Sequence, residues 1–255
     1  MRLQRFLAQA GVSSRRRAEA LIASGAVRVN GEVVSALGSN VNPSKDRVEV
    51  DGRRVHAESP IYRLVLKPRA CLATLTASGA RPTLKRYLRD AEPGWQVVAP
   101  LDFPAEGVVL VTNDGALGQA LAKSRVAMTY HVKLQGMISD NDVERLARGW
   151  RWEGKPVKPA SVERLAVTEK NSWVEVVVGE TRPRALKAAG DLIRHSVLKI
   201  ARVRLGGLSF EGLKMGGWRD LTKVEAADLR KRAGLEGTGV AGSMPGPMPG
   251  SSKGA

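Results

Sequence analysis

Residues 97–115, VVAPLDFPAEGVVLVTNDG, constrain this chain more than any other stretch. An apolar run at 97–99 is followed by Pro100, Pro104 and Gly107, and then by a second apolar run at 108–111 that stops at Asn113-Asp114-Gly115. Continuous, largely β-branched runs predict buried strands. The prolines and the glycine forbid regular structure between them and predict a tight loop. Asp102 sits in that loop, between Leu101 and Phe103. A carboxylate on a stiff turn between two core strands is held accurately enough for chemistry. A solvated or ion-paired loop aspartate is the plain alternative, and these residues alone do not choose between the two.

Charge narrows the partner. Lys and Arg number 41 against 25 Asp and Glu, a formal net charge of +16. Such an excess points to a polyanion, most simply nucleic acid. An anionic membrane surface would need a long apolar segment, an amphipathic stripe or a lipidation motif, and none is present. The first residues, MRLQRFLAQAG, carry no apolar signal core, which predicts a cytoplasmic protein. The single Cys71 excludes an intramolecular disulfide and a cysteine-based zinc site. His56, His131 and His195 are scattered at no ligand spacing, so no structural metal is expected.

Arginine is concentrated at the start. Residues 1–30 hold six Arg and one acid, Glu19. Leu3, Phe6, Leu7 and Ala10 recur at helical spacing, predicting a helix over 2–10 that Gly11 ends. Ser13 or Ser14 caps a second helix through Ser24, with Ala18, Leu21 and Ile22 inward. Arg15, Arg16 and Arg17 fall in its first turn, the end that the helix dipole makes unfavourable for cations. A phosphate-binding surface gives them a use; a solvated charged face is the alternative. Val27 and Val29 then lead into Asn30-Gly31, and 48–50 into Asp51-Gly52, two strong hairpin signals.

The remainder alternates short strands and helices. Residues 64–66 read as a strand ending at Lys67-Pro68-Arg69, and 72–75 as another. Residues 78–83 form a turn, and 84–88 a short helix with Lys85 and Arg86 outward. Helices are expected at 116–122, 140–148 (Val143, Leu146 and Ala147 inside), 185–195 and 225–232. Strands are expected at 129–134, 161–167, 172–178 and 198–205, the last alternating around Lys199, Arg202 and Arg204. Tyr130, Val132 and Leu134 share one strand face. Residues 149–154 read as a hairpin-like turn, in which Trp150 and Trp152 serve packing better than base stacking. Residues 236–255 are Gly, Pro, Ser and Met with almost no charge, and read as a disordered tail. This order of elements predicts an α+β fold with a mixed, largely antiparallel sheet.

Four pieces carry a family resemblance. RLQRFLAQAGVSSRRRAEALIASGAVRVNG resembles the S4 RNA-binding domain. VLKPRACLATLTASGARPTLKRYL resembles the first motif of the RsuA/RluB-type pseudouridine synthases. PLDFPAEGVVLVTNDGAL resembles their catalytic motif, and VRLGGLSFEGLKMGGWRDLTKVE their C-terminal signature. The resemblance implies an S4 domain over 1–56, a linker over 57–61 and a synthase domain with a central cleft over 62–235. It implies isomerisation of uridine to pseudouridine in ribosomal RNA without a cofactor. The catalytic aspartate falls on Asp102, the aromatic face for a flipped-out base on Tyr130, and the cation that offsets desolvation of the carboxylate on Lys187. Arg15, Arg16, Arg17, Lys67, Arg69, Arg81, Arg182 and Arg184 are the RNA-binding candidates. The chain departs from the family pattern at Ala99-Pro100, where Gly-Arg is usual, at Ala105, where Thr is usual, and at Ala185-Leu186-Lys187, where Gln-Val or Gln-Ile precedes the basic residue. The N-terminal segment and the tail resemble the RluB branch, which implies 23S RNA or a ribosome precursor particle as partner, and a monomer. The competing function is a non-catalytic rRNA-binding or assembly factor, which would need neither Asp102 nor Lys187.

Overall fold

Two separate hydrophobic clusters organise the chain, and each follows from a pattern in the sequence. The computed structural model describes residues 1–13, 15–43, 45–56, 59–124, 126–179 and 182–235, the side chains of residues 9 and 15 excepted. Ser14, residues 57–58 of the expected linker, Glu180, Thr181 and the expected tail at 236–255 lie outside the described residues.

The first cluster is built by α1 (Leu3–Gln9) and α2 (Arg15–Ala23) over four short strands. Leu3, Phe6 and Leu7 lie on one face of α1 and are buried with Ala18 and Ile22 of α2. β1 (Val27–Val29) and β2 (Glu32–Val33) turn at Asn30-Gly31, with φ of 54° and 90°. β3 (Val48–Val50) and β4 (Arg53–Val55) turn at Asp51-Gly52, with φ of 49° and 74°. Positive φ at both central residues is the turn geometry that matches strand twist in a two-residue hairpin. β3 pairs antiparallel with β1, giving the order β2-β1-β3-β4.

The second cluster spans residues 62–233. In chain order come β5 (Tyr62–Lys67), a 3-10 turn (Leu84–Arg86), β6 (Gln96–Val98), β7 (Glu106–Thr112), α3 (Gly115–Lys123), β8 (Met128–Gln135), α4 (Asp140–Ala147), β9 (Trp150–Trp152), β10 (Lys155–Val157), β11 (Ser161–Val167), β12 (Asn171–Val178), α5 (Arg184–Ile193), β13 (Val197–Leu205), β14 (Leu208–Ser209), β15 (Trp218–Asp220) and α6 (Lys223–Arg232). Among the described residues the main sheet has nine strands, ordered β11-β12-β8-β13-β7-β5-β15, with β14 on β13 and β6 on β7. The β13–β7 pairing is parallel and the others are antiparallel. The sheet is therefore mixed and largely antiparallel, in an α+β fold.

β7 lies at the centre of the site's support. Every one of its residues is buried, as in β5 beside it, so both strands read as continuous runs rather than alternation. β5 covers one edge of β7 from Tyr62↔Thr112 to Lys67↔Gly107. β6 and β13 divide the other edge: β6 takes Leu110 to Thr112, and β13 takes Glu106 and Gly107. Residues 99–105 leave the sheet at this fork. At the β7–β13 seam Gly107 has φ 119°, and a side chain there would fall on the Arg202 carbonyl. Only glycine allows the seam to close.

Three sequence expectations fail locally. Residues 72–75 form no strand: Leu72 makes an isolated bridge to Thr83, and its backbone bonds go to Pro82 and Leu84. Ala99 is not strand but turns out of β6 at φ 48°. Ala147 is exposed, because α4 packs through Leu146 and Val143. Asp114, expected only as a turn residue, ties elements together. It caps α3 through Ala116 N–H and Leu117 N–H at 3.0 and 3.2 Å, accepts from Tyr62 Oη at 2.9 Å and pairs with Arg230 of α6. Burial and the neighbouring carboxylate push the Tyr62 hydroxyl up to about 12.

Gly107→Ala is expected to destabilise the protein by about 3 kcal/mol or more, because its β-carbon meets backbone that cannot move aside. Gly52→Ala, also at positive φ but with open space around it, should cost only about 1 kcal/mol. Urea denaturation of the two variants measures both, and equal losses would contradict the seam argument.

Candidate active site

The 99–105 loop carries Asp102 over two buried cations. Lys67, the last residue of β5, is 0% exposed. Its Nζ donates to the carbonyls of Pro68, Asp102 and Ala105 at 3.1, 3.1 and 2.6 Å. An ammonium has three N–H donors, and here all three are used. Burial drives the Lys67 amine down to about 8 from 10.5, against the opposing pull of Cys71, Asp102 and Glu106. Arg202 of β13 is also 0% exposed. Its guanidinium donates to Ala99 O at 2.7 Å and Pro100 O at 3.4 Å, and stands 5.5 Å from the centre of the Tyr130 ring. Leu101 and Ala105 are buried beside them. Asp102 keeps its carboxylate 30% exposed.

α5 supplies the facing wall. Its first turn holds no acid but carries Arg184 and Lys187. Arg184 Nε lies 3.6 Å from Asp102 Oδ1. Asp102 thus lies against a guanidinium at the start of α5. A small cleft of about 80 Å³ is lined by Asp102, Arg69, Lys187, Lys199 and Ile200 among others. α5 is set by packing that the helix pattern alone does not specify. Trp150 Nε1 donates to Ala185 O at 2.7 Å. Gly190 allows close contact, since a β-carbon there would lie 2.6 Å from His195 O. Arg182 stacks on Trp152 at 4.0 Å and reaches Glu153 at 3.4 Å.

Residues 1–48 match the S4 domain family. An uncharacterized RNA pseudouridine synthase of Aquifex aeolicus is 34% identical over 239 residues, 92% of this chain and 96% of that protein. Ribosomal large subunit pseudouridine synthase B of Bacillus subtilis is 34% identical over 236 residues, 91% of this chain and 96% of that one. This chain belongs to the RsuA/RluB-type RNA pseudouridine synthases. A crystal structure of a pseudouridylate synthase shares the fold, with TM-score 0.59 and 23% identity over 90% of this chain and 99% of that one. Like other members of this enzyme family the chain acts on RNA, and among the described residues no helix is long and apolar enough to cross a membrane.

The structure brings some of the expected synthase residues together and separates others. Asp102, Lys187 and Arg69 share the cleft, and Arg184, expected on RNA, is the cation at ion-pair distance from Asp102. Tyr130 is 0% exposed, and Arg202 links its ring to the loop. Arg16, Arg17, Arg69, Arg81 and Arg182 are exposed, with Arg81 lying 5.4 Å over the Phe103 ring beside Asp102. Arg15 lies in α2, its side chain outside the described residues. Lys67 is corrected: it is sealed under the loop, where RNA cannot touch it. Arg202, one of the basic residues of its strand, is likewise internal. Its parity with the buried Ile200 was the available signal, and a register shift between Arg202 and Arg204 then turns Leu205 inward. Lys199 of the same strand pairs with Glu106 at 2.7 Å.

Lys67 is expected to make the synthase sensitive to alkali. Deprotonation above about pH 8 removes one of its three donors, so activity should fall along a limb near that pH. The linkage runs the other way for stability. Between about pH 8 and 10.5 the unfolded chain binds more protons at this site, so the Lys67 contribution to stability rises with pH. We expect activity to decline from pH 7 to 9.5 without a parallel fall in melting temperature. Lys67→Met should lose roughly tenfold to a hundredfold at pH 7 and lack the limb. A wild-type rate that is flat across pH 8 would rule this out.

Proposed function

We propose that the chain isomerises uridine to pseudouridine in ribosomal RNA of the large subunit, with Asp102 as the reacting carboxylate. The observation that carries the reading is the placement of Asp102: a partly exposed carboxylate on a pinned loop, against Arg184 and the start of α5. The reaction breaks the N1–C1′ bond and forms a C5–C1′ bond. C5 gives up its hydrogen and N1 takes up a proton, so atoms balance with no redox step and no cofactor. A carboxylate acting at the sugar or base can serve it only if held near the anomeric carbon and kept anionic in a closing pocket. The fixed loop answers the first need, and Arg184 with Lys187 the second.

The large-subunit assignment rests on relatives whose names state it, the Bacillus subtilis protein and that of Pseudomonas aeruginosa, 33% identical over 251 residues. We assign residues 1–56 to RNA capture and 62–235 to catalysis by a single copy of the chain, with 57–61 between them. Arg15, Arg16 and Arg17 lie at the start of α2, where no acid sits in the first turn. Arg69 at the cleft and the exposed Arg81 and Arg182 are the further RNA contacts of this reading. Tyr130 lies deep, beneath Arg202, so a flipped base can meet its ring only after that packing opens.

Asp102→Asn is expected to abolish tritium release from 5-tritiated uridine in rRNA or precursor particles, while RNA affinity changes by less than about twofold, since phosphate contacts lie elsewhere. Lys187→Met should lower the rate, and the double variant should be far from additive, because both act through one carboxylate. If wild-type protein releases no tritium on any rRNA substrate, or Asp102→Asn is fully active, the catalytic reading falls and an RNA-binding assembly role replaces it. Reversing Arg16 and Arg17 to Glu should flatten the dependence of log affinity on log salt by about 1.5 to 2. An unchanged slope would remove that face from the RNA interface.

A further inference from the structure

Arg202 is sealed from solvent, and it is the side chain through which three parts of the site meet. Its strand pairs with Tyr130 on one side and Gly107 on the other. Its guanidinium holds the carbonyls of Ala99 and Pro100, two residues before Leu101-Asp102. Ala99 occupies φ 48°, a left-handed conformation that an alanine adopts only when its surroundings impose it. The donor that reaches its carbonyl at 2.7 Å is Arg202. On the far side of the loop Lys67 holds the Asp102 and Ala105 carbonyls. A loop gripped at both ends by charge-assisted bonds has little freedom left at Asp102. A buried guanidinium is costly unless its donors are used, and here the loop carbonyls take one from each of its terminal nitrogens.

We propose that Arg202 is a positioning residue of the pseudouridine synthase reaction, setting the place of Asp102 by fixing the strained start of its loop from beneath. The inference rests on the reading of Asp102 as the reacting carboxylate. Because Arg202 is sealed from RNA, its removal acts on turnover and not on binding. A shift of about 1 Å at a reacting group costs on the order of 10²-fold in rate. A lysine at the same position keeps the charge but offers a point donor instead of a planar fork, and so holds one carbonyl well and the other poorly.

The test is single-turnover and steady-state tritium release by the full chain, with Arg202→Lys, Arg202→Met and Asp102→Asn measured beside wild type. Wild-type activity with an inactive Asp102→Asn establishes the underlying reading first; if that control fails, the Asp102 assignment fails and not the role of Arg202. Given the control, Arg202→Lys should be folded at the assay temperature, bind rRNA within about twofold of wild type, and lose roughly tenfold in kcat at unchanged KM. Arg202→Met, where it folds, should lose about a hundredfold. Lys67 supplies an independent readout. Cys71, Asp102, Glu106 and Arg202 are the charged or titratable groups acting on it, and Arg202 favours its neutral form. The alkaline limb of kcat should therefore move upward in Arg202→Met and stay in place in Arg202→Lys. A folded Arg202→Lys protein with wild-type kcat overturns the proposal. A loss confined to KM and RNA affinity, or an alkaline limb that moves down in Arg202→Met, does the same.

Discussion

The catalytic half of this protein depends on charge–dipole contact between two buried cations and the carbonyls of one loop. Lys67 and Arg202 enter from adjacent strands on the two edges of β7. Desolvating an ammonium and a guanidinium costs several kcal/mol each unless their donors are satisfied. Carbonyls of that loop take two donors of Lys67 and one from each terminal nitrogen of Arg202, and in exchange the loop loses its freedom. The carboxylate above is left to face the solvent side, where Arg184 lies at ion-pair distance and Lys187 lines the same cleft. Glu106, buried at the start of β7 and paired with Lys199, adds a compensating negative charge within the same layer.

The geometry of β7 makes this possible. A strand flanked along one edge by β5, and along the other by β6 and then β13, opens a fork in the sheet. The chain between β6 and β7 must leave the plane there. The parallel β7–β13 seam brings Arg202 level with Gly107 and directly under the start of the loop. A side chain at 107 would push the seam apart and carry Arg202 away with it. The glycine, the arginine and the aspartate are thus one mechanical unit, although 95 residues separate the first two.

A second theme is the placement of cations at helix starts. α2 and α5 both lack acids in the first turn and carry basic residues there. In α5 the reason is visible: the turn faces Asp102. Such a turn sets side-chain charge at the positive end of the helix dipole and suits an anion from outside the helix. In α2 the side chains of Arg16 and Arg17 are exposed, as the proposed RNA contact requires. One local pattern thus faces an internal carboxylate in one place and open surface in the other.

The sequence by itself determined what depends on local pattern and local covalent geometry. The apolar runs around residues 97–115, the Asn30-Gly31 and Asp51-Gly52 turns, the spacing of Leu3, Phe6 and Leu7, and the position of Asp102 on a proline-bounded loop all follow from neighbours in the chain. So does the α+β class, because strand and helix periods differ. Tertiary structure alone decided which cations face solvent. Lys67, Arg69, Arg202 and Arg204 look alike in sequence, since charge and length are the same whether a side chain lies over a sheet or under a loop. Lys67 and Arg202 are inside because residues 99–105, distant from Arg202 in sequence, fold back and offer carbonyls in place of water. The choice of Arg184 as the ion-pair partner of Asp102 is equally non-local. Trp150 and Gly190 set where α5 begins and how closely it packs, and a one-dimensional pattern contains no such distance.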